Sequence, residues 1–342
     1  ADCWRYASGQ PSTGGDDFFP GTAAQQLADY LFAAHLGGKT VADVFRWASS
    51  ERNTEPVTIL TKHVGYGEIA ARVSSVIALT PETRSGVFGS LQTMVAFLAD
   101  PDVIEWVLPR EGDGTPEGRD VFDPLAFATS EGDTLYLLSA QGRPSTALTA
   151  SLTAVVAFTA FQYAQSECTD NNRRLPRPMC CVLDEAANIC RWPELADVYS
   201  YFGSAGIPIM TIWQNPDQGK AAFGETNFGS LFNNANITVY LGGIKDAKFL
   251  GEISQLVGQR EIVRGSVNID GTGRRSVNNS IQKENILDVS DLTEWPVGRA
   301  LLLASQSRAQ IVKTLPWTGN RQWADALTQA KAKAREEQRK PA

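Results

Sequence analysis

The chain has 342 residues, 43% of them hydrophobic and 20% charged, which is enough for a buried core and about two domains. A formal charge of -7 excludes a generally basic surface of the kind that holds duplex DNA by bulk charge. Five cysteines with no Cys-x-x-Cys spacing, beside only two histidines, exclude a disulfide framework and a zinc site and point to a reducing cytoplasm.

Residues 1–20 are rich in Gly, Ser, Asp and Pro and read as an irregular lead-in. The opening ADCWRYASGQ lacks a basic-then-apolar signal pattern, and the most apolar run, Ala154 to Phe161, is short for a bilayer span, so the chain reads as soluble. Residues 21–108 are helical nearly throughout and read as an all-α domain. Within them HLGGKTVADV ends like a phosphate-binding loop, but such a loop needs a glycine where Ala33 stands and an apolar strand ahead of it. What precedes GGKT is an amphipathic helix through Leu27 and Leu31. Gly37 and Gly38 suit the turn that ends it, and Thr40 with Asp43 fits a capping box that opens the next helix.

Residues 109–120, PREGDGTPEGRD, combine Pro, Gly and charge without an apolar period and read as a boundary loop. Across 121–318 strands alternate with helices: TLYLLSA, a long apolar helix after Pro144, PMCCVLDEA, ELADVYSYFGSAG, IPIMTIWQ, ITVYLGG and KDAKFLGEISQLVG. Short continuous apolar strands between helices predict an α/β domain with a mostly parallel sheet covered on both faces. A polar and basic segment reads as a hairpin centred on DGTG, RALLLAS and AQIVKTLPW as a closing strand pair, and 319–342 as a charged helical tail.

The strongest chemical signal is CCVLDEAAN, an apolar strand delivering Asp184 and Glu185 at its C-terminal end, where open parallel sheets bind ligands. An ATPase needs such a pair, one carboxylate to hold Mg²⁺ through water and one to polarise the attacking water; equally, Asp-Glu pairs cap helices. The next strand ends in Gln214, a polar side chain able to sense a terminal phosphate. Two strand ends with complementary chemistry are more specific than either alone.

The runs VLDEAANICRWPELADVYSYFGSAGIPIMTIWQNPDQGKAAFG, FNNANITVYLGG and ILDVSDLTEWPVGRALLLASQSRAQIVKTLPW resemble the type IV secretion coupling proteins of the TraG/TraD type, the resemblance running from Asp17 to Trp317. It implies a RecA-like P-loop NTPase fold with an inserted all-α domain, in a parent that is an ATP-driven homohexameric motor at the cytoplasmic side of the cell membrane. That motor would pass relaxase-bound single-stranded DNA through a central pore to type IV secretion channel proteins. By resemblance Asp184 stands on the Mg²⁺ side through water, Glu185 is the catalytic base and Gln214 the phosphate sensor, with ATP and Mg as cofactors. The all-α domain would meet the relaxase or relaxosome proteins.

Two departures stand out. The turn SYFGSAGI has no arginine to reach a neighbour's phosphate; Ser204 stands there, and Arg191, Arg299 and Arg308 are loose candidates. No G-x-x-x-x-G-K-[ST] occurs anywhere, QGK at Gln218 to Lys220 included. The expectation is a cytosolic fragment that binds ATP poorly and does not turn it over, with the phosphate loop and membrane helices ahead of Ala1. The alternative is a relaxosome- or substrate-binding module without catalysis. A protein-built metal site at Asp184 and Glu185 lacks the further His or carboxylate it would want. DNA-contact candidates are Arg264, Arg274, Arg275 and Lys283 in the hairpin, which could equally be an exposed polar hairpin. Trp47, Trp106, Trp192 and Trp213 read as core or interface anchors, and Cys180 and Cys181 as buried small hydrophobes.

Overall fold

The computed structural model describes residues 1–9, 18–108, 122–139, 145–269 and 275–337, which form two compact units, 1–234 and 235–342. The boundary loop expected at 109–120 lies outside the described residues.

The first unit opens with helices α1 (Asp2–Ala7), α2 (Phe18–Leu36), α3 (Val41–Ala48), α4 (Glu55–Lys62), α5 (Gly67–Ile77), α6 (Pro81–Val95) and α7 (Pro101–Val107). Helix α1 corrects the irregular lead-in expected over 1–20. Six residues are too few for a periodic signal, and tertiary packing decides: Cys3 and Trp4 are buried, and the Trp4 ring meets Phe97 edge-on at 4.8 Å.

The GGKT stretch is the joint between α2 and α3. Gly38 has φ +61°, and Thr40 and Asp43 close a capping box in which Thr40 N–H donates to Asp43 Oδ2 at 3.0 Å. Lys39 pairs with Glu55 at 2.9 Å. Asp29, buried on α2, accepts two bonds from the Arg72 guanidinium, at 2.8 and 2.6 Å, which ties α2 to α5.

There follow α8 (Pro124–Ala128), α9 (Thr146–Glu167), strand β1 (Cys181–Leu183), α10 (Ala186–Ile189), α11 (Leu195–Phe202), strand β2 (Ile209–Thr211), α12 (Pro216–Phe223) and α13 (Glu225–Asn234). At 22 residues α9 is long and apolar enough to cross a membrane by length and composition, a test that buried core helices also pass. Its alanine stripe, Ala147, Ala150, Ala154, Ala157, Ala160 and Ala164, is buried in the same core cluster as Trp47, Phe88, Trp192 and Phe202. The segment TLYLLSA, expected as a strand, forms no strand over 134–139 and pairs with none among the described residues.

Strands β1 and β2 pair in parallel, Leu183 opposite Thr211. One face of the pair packs on the core; the other carries Val182 and Met210, 57% and 54% exposed. Cys180 corrects its expected burial, being exposed, while burial pushes the Cys181 thiol up to about 12. Trp47 and Trp192 are buried as expected, and Trp106 is 75% exposed.

The second unit comprises β3 (Ile237–Tyr240), α14 (Ala247–Val257), β4 (Gln259–Ile269), β5 (Arg275–Asn285), α15 (Val289–Thr293), β6 (Arg299–Ala304), β7 (Gln310–Lys313) and α16 (Arg321–Glu337). A three-stranded antiparallel sheet has the order β3-β6-β7. The strands β4 and β5 form an 11-residue antiparallel ribbon, Gln259 opposite Asn285 and Ile269 opposite Arg275. Its expected DGTG centre, with Arg274, lies outside the described residues. Among the described residues, parallel pairing is confined to β1 and β2.

Candidate functional site

Two adjacent strand ends build the site. Strand β1 stops at Leu183, and Asp184 and Glu185 form the turn into α10. Backbone bonds lock this turn to the neighbouring strand: Ile212 N–H donates to Leu183 O at 3.0 Å, and Ala186 N–H to Ile212 O at 3.2 Å. Glu185 takes a left-handed conformation, φ +49° and ψ +47°, which a side-chain-bearing residue adopts at a cost and which clusters at functional sites. The twist turns the Glu185 carboxylate toward the second strand.

There Gln214 Nε2 donates to Glu185 Oε1 at 2.7 Å. The position of Gln214 is fixed from both sides. Trp213 ahead of it donates from Nε1 to Thr211 Oγ1 at 2.9 Å, and its ring meets Phe223 and Phe228 edge-on at 5.6 and 5.1 Å. Asn215 behind it caps α12, its Oδ1 accepting from Gln218 N–H at 2.9 Å, with Pro216 starting the helix. Asp184 is exposed, and no hydrogen bond or ion pair holds it among the described residues.

The three sequence-predicted residues therefore lie on the same edge, and Glu185 and Gln214 touch. An acceptor-only carboxylate held by an amide, beside a second carboxylate open to solvent, can orient a water and offer an oxygen to a hydrated cation. For Mg²⁺ the donor set fits a water-mediated role alone: this ion keeps most of its own waters and takes one or two carboxylates plus phosphate oxygens. No cluster of three or more His, Cys, Asp or Glu gathers for a metal among the described residues.

Other candidates stand apart. Arg191 donates from Nε to Ala187 O at 3.0 Å, a bond that closes the end of α10. Arg299 and Arg308 are exposed in the second unit, and the Ser204 hydroxyl donates to Tyr201 O at 2.6 Å. On the ribbon Arg264 pairs with Glu284, and Lys283 stands opposite Glu261 in the ladder, so carboxylates already face both cations. Sequence reading missed Gln218, whose Nε2 lies 3.5 Å from Gln214 Oε1. Its only signal was the four-residue spacing from Gln214 across a helix start.

Residues 178–297 match the family described as TraM recognition site of TraD and TraG. No curated protein matches the sequence. Similar solved structures include the bacterial conjugative coupling protein TrwBdeltaN70 in its unbound monoclinic form, with TM-score 0.59 and 17% identity, covering 92% of this chain and 68% of that one. Its trigonal form in complex with sulphate gives 0.62 and 18% at the same coverage, 92% and 68%. TrwB in complex with ADP and Mg²⁺ gives 0.54 and 17%, again covering 92% and 68%. The TraG/TraD resemblance read from the residues is thus shown by sequence over 178–297, and the chain has the RecA-like fold of these structures.

Proposed function

We propose that this chain is the acidic and sensing part of a conjugative coupling protein, an ATP-driven hexameric motor that delivers relaxase-bound DNA to a type IV secretion channel. The observation that carries the reading is the 2.7 Å bond from Gln214 to Glu185 across two neighbouring parallel strand ends, with Asp184 exposed beside it. Glu185 orients and deprotonates the attacking water, Gln214 donates to a terminal phosphate oxygen, and Asp184 would hold a Mg²⁺ ion through water. When bound, the ion supplies charge neutralisation at the phosphates.

The phosphate-gripping loop is supplied by residues outside this chain. Support comes from the sequence, which contains no such loop, and from TrwB, 68% of whose chain is covered although its solved complexes include ADP and Mg²⁺. In the intact protein Glu185→Gln should abolish ATP turnover, lowering kcat by about 10²-fold or more, while the chain alone with Mg²⁺ and ATP shows no motor-like hydrolysis. Full turnover by Glu185→Gln, or rapid hydrolysis by the isolated chain, overturns the reading.

A second role, recruitment of relaxosome proteins, is favoured by the family description, which names a recognition site and matches 178–297 rather than the helices of 21–108. We place the recruiting surface on either segment; a failure of the chain to capture an accessory protein in solution removes it from both. For single-stranded DNA in the pore the candidates are Arg264, Arg274, Arg275 and Lys283. Lys283→Ala should weaken binding and flatten its salt dependence, and unchanged binding removes Lys283 from the pore.

A further inference from the structure

Gln218 extends the contact between the two strand ends by one group. Its backbone is placed by the Asn215 cap, and its side-chain Nε2 lies 3.5 Å from Gln214 Oε1, longer than an ordinary N–H···O bond. Gln214 Nε2 in turn donates to Glu185 Oε1 at 2.7 Å. The direction of this chain follows from the chemistry of its end. With Gln214 presenting its NH₂ to Glu185, its oxygen turns away, and that oxygen is satisfied only by a donor. Gln218 stands where that donor is needed. One N–H of Gln214 is then engaged by Glu185 and the other is left for an acceptor.

We propose that Gln218 is a positioning residue for the Gln214 amide. It holds the amide so that one N–H fixes the Glu185 carboxylate and the second is offered to an anionic ligand oxygen such as the terminal phosphate of a nucleoside triphosphate. The ligand in this statement rests on the nucleotide reading above; the orientation of the amide does not. A contact as long as this steers the amide more than it fastens it, so its effect lies in orientation and little in stability.

The test compares three variants of this chain by the side-chain ¹⁵N–¹H resonances of Gln214. Gln218→Ala removes the donor and leaves the Asn215 cap in place. Gln218→Glu sets an acceptor against Gln214 Oε1 and drives the amide to turn. Gln218→Lys restores a donor. Gln218→Ala should raise solvent exchange of the Gln214 NH₂ several-fold, Gln218→Glu should shift its resonances further, and Gln218→Lys should return them toward the wild type. Identical Gln214 resonances in all three overturn the proposal.

Kinetics of the intact protein separate the two readings. Gln218→Ala should lower kcat several-fold with KM for ATP unchanged. An unchanged kcat where Glu185→Gln abolishes turnover overturns the positioning role and leaves the nucleotide reading standing. Turnover indifferent to Glu185→Gln overturns the nucleotide reading itself.

Discussion

At the scale of single residues, Glu185 and Glu55 show two ways in which a carboxylate is held. Glu185 is held by its own backbone, a left-handed turn costing a non-glycine residue roughly 1 kcal/mol, and by one amide. Glu55 is held by its partners. The buried Trp47 ring donates from Nε1 at 2.9 Å and Lys39 and Arg46 each pair with it at 2.9 Å, which together bring its carboxyl from 4.5 down to about 2 against a smaller opposing effect of burial. The folded state therefore favours the charged form. This contribution to stability is complete above the unfolded value of 4.5 and is lost as pH falls from there through about 2. Urea midpoints measured across that window should fall more steeply for the wild type than for Glu55→Gln; parallel profiles would show that the partners do not act on Glu55 in the folded state. The lysine of the GGKT stretch thus has a structural use in the helical region, tying one helix joint to the next.

At the scale of elements, α12 shows why QGK at 218–220 is no phosphate loop. Gly219 is buried in the first turns of that helix, where a Cβ would overlap the ring of Phe228. That ring is not free to withdraw, because Trp213 packs on it at 5.1 Å, and Trp213 leads directly into Gln214. Gly219→Ala gains up to ~1 kcal/mol of helix propensity and loses ~1–3 kcal/mol to overpacking, so the overlap should win. A net loss of ~1 kcal/mol or more in chemical denaturation is expected, with broadening of the Gln214 amide signals; a gain in stability would mean that α12 and α13 separate readily.

Most elements were legible because their signals are local. Thr40 with Asp43, and Asn215 before Pro216, announce helix starts through backbone chemistry within four residues. Two elements were not legible. Helix α1 exists because Trp4 finds Phe97, 93 residues away in the chain, and over 134–139 TLYLLSA has no partner strand among the described residues to make its apolar run a ladder member.

At the scale of the whole molecule, both units leave an apolar sheet face uncovered. On β1 and β2 these are Val182, Met210 and, just beyond the strand, Ile212, at 57%, 54% and 41% exposure; on and after β3 they are Ile237, Val239 and Leu241, at 61%, 51% and 64%. Parallel strands in α/β folds are normally covered on both faces, and on the proposed reading residues outside this chain cover the apolar face of β1 and β2. Met210→Lys should accordingly leave the isolated chain's stability within ~0.5 kcal/mol, as for other exposed sites, and reduce its self-association. In the intact protein the same change should destabilise by ~2 kcal/mol or more, the cost of burying an unpaired charge. Equal effects in both would place Met210 at the surface of the complete fold.

The sequence by itself determined which side chains stand at the candidate site and much of the run of the elements. An apolar strand ending in Asp184-Glu185, another ending in Gln214, and the failure of GGKT as a loop are all properties of residues near one another in the chain. Only the tertiary structure decided which atoms meet: that Glu185 twists to receive Gln214, that Gln218 stands behind it, and that Glu284 pairs with the exposed Arg264. The reason is one of range. Propensity, capping and periodicity act within a few residues, whereas the pairing of strand ends 29 residues apart and the direction of an amide depend on contacts that no local pattern encodes.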